Sequence, residues 1–502
     1  MYKKCLYFIA VIAFTVSAAG YSQNSNMLSD KTVYSAFHSI SSETISNTIN
    51  YICRDEFRGR LTGTPGFNNV AKWVCARFSG WDLEGAGDSG SYLQAFDNPY
   101  TLVSDQTAAS LRIPISNGAC ITKPYRLEKD FIPGSTSDTG EVTAEVVYAG
   151  YGITAQELGY DDYDGVDVKG KIVLVEREVP VSAERHPELF KKWRKYSFHQ
   201  YKVHNAREHG AAGMLYIYHI ANPNCDFIPG LVLTYINDTI VDDLLAGTEY
   251  THKQVLETIW NKTKPCSFST GKVMTIKNTT EHHPEGVAYN VLGYFEGTDP
   301  KLKNEVIVLS AHLDHVGANP LIVPGANDNA SGVAVLMDVA RALSPVKGRL
   351  KRSVLFAFFG AEEQGVRGSD VFIRNFPLQG KKIVLNYNLD GVGRGDRLVA
   401  VAGTNYPKLY QYIDEANDAY VHRDVKPVKY ITITRPRLDA VRFIWEGIPS
   451  VSFYAAGIPL GRDVYHKTGD NPSVLTPEIM EDLAQILFGA VYTLAVEQGS
   501  IL

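Results

Sequence analysis

The stretch Val306-Ile-Val-Leu-Ser-Ala-His-Leu-Asp-His315 contains the pattern that predicts the fold. Its first four residues are apolar without a break, which is typical of a strand buried on both faces of a sheet. Three further buried strands and one helix that is apolar nearly all round are indicated along the chain: strands at Ser353–Phe359, Lys382–Tyr387 and Pro449–Tyr454, and the helix at Val333–Leu343. Alternating strands and helices predict an α/β domain with a mainly parallel, helix-flanked central sheet.

Side chains that can bind a metal follow each of these strands or precede the helix. They are His312, Asp328, the pair Glu362-Glu363, Asp390 and His466. In open α/β sheets, ligands bind in the crevice beyond the carboxyl ends of the strands, so we expect these side chains to converge. Two imidazoles and several carboxylates without a thiolate suit zinc. The sequence therefore predicts a zinc centre at this edge of the sheet.

Asp328 lies in a glycine-rich loop directly before the buried helix. One carboxylate can bridge two metal ions about 3.5–4 Å apart. We expect Asp328 to be that bridge, because its loop can bring the side chain close to both ions. Each ion would then take one histidine and one further carboxylate, which leaves positions open for water and substrate.

The residues beside these ligands have predicted roles as well. Glu362 and Glu363 are adjacent, so their side chains point in different directions from an extended backbone. One can bind a metal while the other faces the bridging water as a general base. Asp314 follows His312 by two residues and can orient its imidazole. His315 stays open between support of the centre, a place in the substrate pocket and a structural role.

The middle of the chain, residues 111–270, has a different pattern. Glu145–Ile153 and Ile172–Glu176 indicate strands around a charged loop, and the segment has no plausible metal cluster. We expect a β-rich α/β domain inserted into the first one, which would then consist of residues 21–110 and 271–502.

The first twenty residues are typical of a cleaved signal peptide. Lys3 and Lys4 precede a short apolar run, and the small residues Ser17–Gly20 end it. We therefore expect residues 1–20 to be removed and the protein to be secreted or periplasmic. No later segment is expected to be long and apolar enough to form a transmembrane helix. A formal charge of −6 and a pI near 6.1 argue against nucleic acid as a partner.

The blocks around the metal-binding residues resemble the dizinc aminopeptidase family, whose relatives include glutamate carboxypeptidases, glutaminyl cyclases and the transferrin receptor ectodomain. The blocks occur in order: Ala311–His315, Gly325–Gly332, Ala361–Gly365, Asn388–Asp390 and Tyr465-His466. The resemblance implies that His312 and Asp390 bind one zinc ion, Glu363 and His466 the other, and Asp328 both. It also implies that Glu362 is the general base. The middle segment resembles a protease-associated domain, most clearly in Val147–Gly152 and Gly165–Val173.

The resemblance implies a secreted exopeptidase that acts on peptides, and an aminopeptidase is the first expectation. Tyr465 is expected to help stabilise the oxyanion. A carboxypeptidase is the nearest alternative and would need a cation for the terminal carboxylate: Arg394, Arg435, Arg437 or Arg442. A receptor-like protein without activity is the non-enzymatic alternative, but it would be expected to lack ligands. The stretch Arg437–Phe443 departs from the family pattern at Leu438 and Ala440, so the sequence leaves side-chain specificity open.

Overall fold

The computed structural model describes residues 27–115, 119–430, 434–457 and 464–501. The predicted signal peptide, residues 1–20, lies outside the described residues. The strands are β1 Glu84–Gly85, β2 Leu93–Asp97, β3 Tyr100–Val103, β4 Ala108–Pro114, β5 Cys120–Pro124, β6 Phe131–Pro133, β7 Gly140–Tyr148, β8 Thr154–Ala155, β9 Tyr160–Asp161, β10 Ile172–Glu176, β11 Gly213–Ile217, β12 Val232–Ile236, β13 Phe268–Asn278, β14 Thr280–His283, β15 Val287–Phe295, β16 Glu305–His312, β17 Ser353–Phe359, β18 Lys382–Leu389, β19 Arg397–Val401, β20 Val425–Val428 and β21 Ser450–Ala456. The helices are α1 Lys31–Phe37, α2 Ser42–Ile52, α3 Pro65–Gly80, α4 Pro187–Trp193, α5 His199–Glu208, α6 Asp238–Leu245, α7 His252–Lys262, α8 Ser331–Leu343, α9 Arg367–Arg374, α10 Pro407–Tyr420, α11 Ala440–Trp445 and α12 Pro477–Val496.

A nine-stranded sheet forms the first domain, in the order β1-β15-β17-β16-β18-β21-β19-β20, with β2 also paired to β15. The four central strands, β17, β16, β18 and β21, are parallel, while β15 and β19 join them antiparallel on either side. All four strands that the sequence predicted are these central ones. The expected α/β fold is confirmed, and its parallel part is the part that carries the candidate metal ligands.

The central strands are buried on both faces, as their unbroken apolar runs predicted. In β16, Ile307 and Leu309 pack into the larger core with helices α8 and α12, whereas Val306 and Val308 pack into a smaller core on the other face. Successive side chains of a strand point to opposite faces, so a run without polar residues supplies both cores. Helix α8 is buried over nearly its whole length and packs in the larger core.

A second sheet lies between the two parts of the first domain in sequence. Its order is β5-β4-β13-β7-β10-β11-β12-β6, and β7, β10, β11 and β12 are parallel. The chain enters through β3 and returns through β14, which pair with each other. We call residues 108–278, from the start of β4 to the end of β13, the inserted domain. Its limits lie a few residues outside the predicted 111–270.

The last helix corrects one expectation about membranes. Of the helices in the described ranges, α12 is the one that is long and apolar enough to cross a membrane by length and composition. The sequence-based statement that no later segment has these properties was therefore wrong. Two thirds of its apolar window, 67%, is buried inside the protein, where Leu483 and Leu487 pack in the larger core. A core helix passes the same test, so this helix is weak evidence for a membrane.

Candidate metal centre

The register of the sheet brings the predicted metal ligands to one edge. His312 is the last residue of β16 and lies opposite Phe359, the last residue of β17, while Ala311 lies opposite Leu389, the last residue of β18. The carboxyl ends of these strands are therefore level. Asp390 follows β18 directly, and the loop with Glu362 and Glu363 follows β17, so both meet His312 at this edge.

The five predicted ligands form two groups that share Asp328. In the first group, Nε2 of His312 lies 3.1 Å from Oδ1 of Asp328 and 3.4 Å from Oδ1 of Asp390. In the second group, Nε2 of His466 lies 3.2 Å from Oδ2 of Asp328 and 2.9 Å from Oε2 of Glu363. Each oxygen of Asp328 thus faces a different histidine, as a bridging carboxylate requires.

These spacings fit zinc. Ligand atoms bound at 2.0–2.1 Å in a tetrahedral site lie about 3.3 Å from one another. The four nitrogen–oxygen distances, between 2.9 and 3.4 Å, are close to that value. The donors are imidazole nitrogens and carboxylate oxygens, which zinc accepts in catalytic sites. The residues present therefore fit a pair of such ions.

Both histidines are oriented by backbone carbonyls. Nδ1 of His312 donates to the carbonyl oxygen of Asp314 at 3.1 Å, and Nδ1 of His466 donates to that of Ala221 at 2.7 Å. A carbonyl can only accept, so Nδ1 carries the proton and Nε2 is left to bind a metal. Asp314 was expected to orient His312, and its main chain does so; its carboxylate lies 3.8 Å from Nδ1.

The carboxylate of Asp314 instead organises the glutamate loop. It accepts the backbone N–H of Glu362 at 3.1 Å and that of Glu363 at 3.3 Å. One ligand atom each of His312, Glu362 and Glu363 lies within 4.8 Å of the others. The fully buried Asp314 thereby fixes the backbone from which Glu362 and Glu363 point in different directions.

The pKa values of the site are shifted because several buried carboxylates lie close together beside few imidazoles. Burial opposes protonation of His312, but its hydrogen bonds to Asp328 and Asp390 outweigh this and hold its pKa well above the usual range. Burial raises the pKa of Glu362 well above its usual range, and the neighbouring Glu363 adds to the effect. With Asp328 and Asp390, the site has four carboxylates around two imidazoles. Cations would relieve this excess of negative charge.

His315, whose role the sequence left open, lies behind the second group. It is fully buried, and its Nδ1 lies 2.7 Å from Oε1 of Glu363, the oxygen that does not face His466. Its Nε2 has no hydrogen-bond partner among the described residues. The structure thus places His315 as a support for Glu363 rather than in the substrate pocket.

Sequence reasoning missed two residues that hold the metal loops. Asp470, buried and four residues after His466, accepts the backbone N–H of Asn327 at 2.8 Å and of Asp328 at 3.1 Å. Arg60, also buried, donates to the carbonyl oxygens of Leu313 at 3.0 Å and Gly325 at 2.9 Å. Asp470 lies four residues after the candidate ligand His466, and this proximity was a usable signal. Arg60 lies in the turn-rich stretch of residues 58–66, in which nothing singled out this arginine.

A cavity of about 870 Å³ opens between the metal centre and the inserted domain. Its lining includes Glu362, Glu363, Tyr465 and His466 from the first domain, and Arg177, His199, Tyr218, His219, Asn222 and Asn224 from the inserted domain. Tyr465 is 44% exposed, and its ring stacks on His466 with centroids 3.9 Å apart. A substrate that reaches the metal centre through this cavity contacts both domains.

Two of the four arginines considered for a carboxypeptidase line the cavity. Arg435 and Arg437 do so, but both contact Glu178 of the inserted domain, at 2.8 and 3.0 Å. Arg442 pairs with Asp370 at 3.4 Å. Arg442 and Arg394 are outside the cavity lining. The two candidate arginines that line the cavity are therefore already partnered by a carboxylate.

Comparisons with known proteins agree with this architecture. Residues 290–491 match the description Peptidase family M28, and residues 142–238 match PA domain. An aminopeptidase of Pseudomonas aeruginosa (strain UCBPP-PA14) is 29% identical over 343 residues, 66% of this chain and 54% of that protein. The chain thus spans about half the length of the curated relatives it matches.

Solved structures show a similar fold. An aminopeptidase from Aneurinibacillus sp. strain AM-1 has a TM-score of 0.62 at 21% identity, with 94% of this chain and 97% of that chain covered. BSAP, a zinc aminopeptidase from Bacillus subtilis, has a TM-score of 0.60 at 19% identity, with 91% and 96% covered. At these identities the likeness shows the fold alone.

Fold and site together define a class: an α/β domain with two groups of candidate metal ligands at the carboxyl edge of its sheet, covered by an inserted domain. Within this class, residues 290–491 match peptidase family M28. The insertion is a PA domain, so the expected family and the expected protease-associated insertion are both confirmed.

Proposed function

We propose that the protein is an aminopeptidase that binds two zinc ions and removes N-terminal residues from peptides. The observation that carries the proposal is Asp328, whose two oxygens face His312 and His466 at 3.1 and 3.2 Å. Asp390 and Glu363 complete the two groups. The names of the relatives, aminopeptidase and zinc aminopeptidase, support the same activity and metal.

His312, Asp328 and Asp390 would hold one ion, and Asp328, Glu363 and His466 the other. Bound zinc lowers the pKa of a water molecule and polarises the carbonyl of the scissile bond. Glu362 lines the cavity, and no hydrogen bond to its carboxylate is found in the described part of the chain. We propose that it would take the proton from the water and pass it to the leaving amine. Tyr465, also in the cavity wall, would donate to the developing oxyanion.

An aminopeptidase is favoured over a carboxypeptidase by the charges near the centre. Carboxylates at the metal edge can accept a protonated α-amine, whereas Arg435 and Arg437 already contact Glu178. Peptides with a blocked amino terminus and matched peptides with a blocked carboxyl terminus distinguish the two activities. The proposal requires that only the amino block prevents cleavage; the opposite result would favour the carboxypeptidase.

The variant Glu362→Gln tests the mechanism. We expect it to keep both zinc ions, because Glu362 is outside the two ligand groups, and to lose about 10²–10⁴-fold in kcat, the usual contribution of a general base. Elemental analysis gives the zinc content and peptide hydrolysis gives kcat. Near-normal turnover would remove Glu362 from its role, and fewer than two ions in the wild type would contradict the paired centre.

We further propose that the protein is exported. The support is the pattern of residues 1–20, with two lysines, an apolar run and small residues at its end. Fractionation of producing cells followed by N-terminal sequencing should find a mature chain that begins near residue 21. A cytoplasmic protein that retains the leader would refute this.

A further inference from the structure

The loop with His466 is the part of the metal centre that the inserted domain holds. This loop, Tyr465–Asp470, supplies one predicted ligand, and through Asp470 it also fixes the backbone of Asn327 and Asp328. Its position therefore affects both His466 and the bridging carboxylate. The contacts that fix the loop come from the inserted domain at two points.

The first contact point is Ala221. Its carbonyl oxygen accepts Nδ1 of His466 at 2.7 Å, and its N–H donates to the carbonyl oxygen of His466 at 3.3 Å. The neighbouring Asn222 is held within the inserted domain, because its N–H donates to Oγ of Ser135 at 3.2 Å and its carbonyl accepts the hydroxyl of Tyr235 at 2.9 Å. Ser135 and Tyr235 are buried. The core of the inserted domain thus sets the position of the carbonyl that orients His466.

The second contact point is Glu128. Its Oε1 accepts the backbone N–H of Thr468 at 3.1 Å and also a short hydrogen bond from the hydroxyl of the same residue. Thr468 is two residues from His466. Together, Ala221 and Glu128 hold the loop at the ligand and just beyond it.

His312 has no such dependence, since the carbonyl that orients it belongs to Asp314, two residues further along its own chain segment. Groups that orient a metal-bound histidine commonly change metal affinity 10–100-fold when they are lost. We infer that the inserted domain is a positioning element chiefly for one zinc site: Glu128 and the Ala221 carbonyl set the affinity of the Asp328, Glu363 and His466 site. They affect the other site less, only through the link from Asp470 to the shared Asp328. This inference rests on the proposed two-zinc function.

The test measures zinc affinity of each site separately. Asp390→Ala keeps the ligands of the His466 site, and His466→Ala keeps those of the His312 site. Each background is combined with Glu128→Ala, which removes the acceptor of both Thr468 hydrogen bonds, with Glu128→Gln, which keeps a carbonyl oxygen there, and with Thr143→Ala. Thr143 serves as a control because its hydrogen bond to Thr275, at 2.8 Å, lies within the sheet of the inserted domain. Competition with a chromophoric chelator gives the affinity.

In the Asp390→Ala background, we expect Glu128→Ala to weaken zinc binding about 10-fold, with Glu128→Gln and Thr143→Ala near the starting value. In the His466→Ala background, any loss should be clearly smaller, about 2-fold at most, because only the link from Asp470 to Asp328 remains. Unchanged affinity in both backgrounds, or equal weakening in both, would overturn the inference while leaving a two-zinc enzyme intact. A wild-type protein that binds no zinc would overturn the proposed function itself.

A second variant covers the case in which Glu128→Ala does not fold, as judged by circular dichroism. Tyr235→Phe removes the hydroxyl that holds the carbonyl of Asn222, next to Ala221. We expect a loss of affinity of about 3-fold in the Asp390→Ala background and a smaller loss in the His466→Ala background. No loss in either background, or an equal loss in both, would overturn the inference here too.

Discussion

The two histidines of the metal centre are positioned in different ways. His312 ends a central strand, and a carbonyl two residues away orients it. His466 lies on a loop, and its orienting carbonyl is 245 residues away in sequence, in another domain. Local geometry therefore builds one half of the centre, and domain packing builds the other. A candidate ligand can therefore be evident in a sequence while the carbonyl group that orients its imidazole is not.

The largest effect is expected from a substitution of the residue that both halves of the metal centre share. In Asp328→Ala, each histidine loses a carboxylate partner, so we expect both zinc ions to be lost. Peptide hydrolysis should fall by more than the roughly 10²–10³-fold that the loss of one electrostatic contact costs. Elemental analysis and kcat/KM measure the two effects, and Asp105→Ala, at an exposed loop residue, is the control. Retention of one tightly bound ion would show that the halves are independent and that Asp328 is no bridge.

A smaller effect, on the free energy of unfolding, is expected when the loops of both halves lose a shared hydrogen-bond donor but keep every ligand. Arg60 donates to carbonyl oxygens of the His312 loop and the Asp328 loop, so Arg60→Met leaves buried acceptors unpaired. We expect the free energy of unfolding to fall by about 3 kcal/mol. Chemical denaturation measures it against Arg54→Met, whose side chain is 56% exposed and should cost under about 0.5 kcal/mol. Equal costs for the two variants would contradict a tethering role for Arg60.

The smallest effect concerns the inserted domain alone. Burial opposes protonation of His252, but its 2.7 Å contact with Glu176 outweighs this and raises its pKa. Stability from this pair is fully present below the unfolded histidine pKa of about 6.5 and is lost as pH rises through the folded value.

The variant His252→Gln should therefore lower the free energy of unfolding more at about pH 5.5 than at about pH 8.5. The metal-site histidines are present in both proteins, so their own titration cancels in the difference. Denaturation of wild type and variant at both pH values checks this. A cost that is equal at both, or larger at the higher pH, would contradict the pairing.

The fold was largely predictable because its central strands contain unbroken apolar runs, such as Val306–Leu309. The stretch Ser353–Phe359 coincides with β17, and Ile172–Glu176 coincides with β10, because unbroken apolar runs have few alternatives to a strand buried on both faces. Strand ends were harder to predict. The strand predicted from the apolar run at Val306 extends to His312 itself. The first candidate ligand therefore belongs to the strand and not to the loop after it.

The candidate site was predictable in its members and much less in its supports. Polar residues that follow buried strands must lie at one edge of a parallel sheet, which is why the sequence alone groups the five ligand candidates. Arg60 and Ala221 gave no such signal. An arginine in a turn-rich loop and an alanine two residues before a proline have many possible surroundings, and only the packed structure selects one.

The sequence by itself determined the α/β fold, the inserted domain and the acids and imidazoles that meet at the sheet edge, because strand burial and strand direction follow from local patterns. Only the tertiary structure decided which oxygen of Asp328 faces which histidine, that the main chain of Asp314 orients His312, and that the inserted domain holds His466. Those contacts join residues far apart in the chain, and their geometry depends on how whole domains pack. Local patterns do not contain that information.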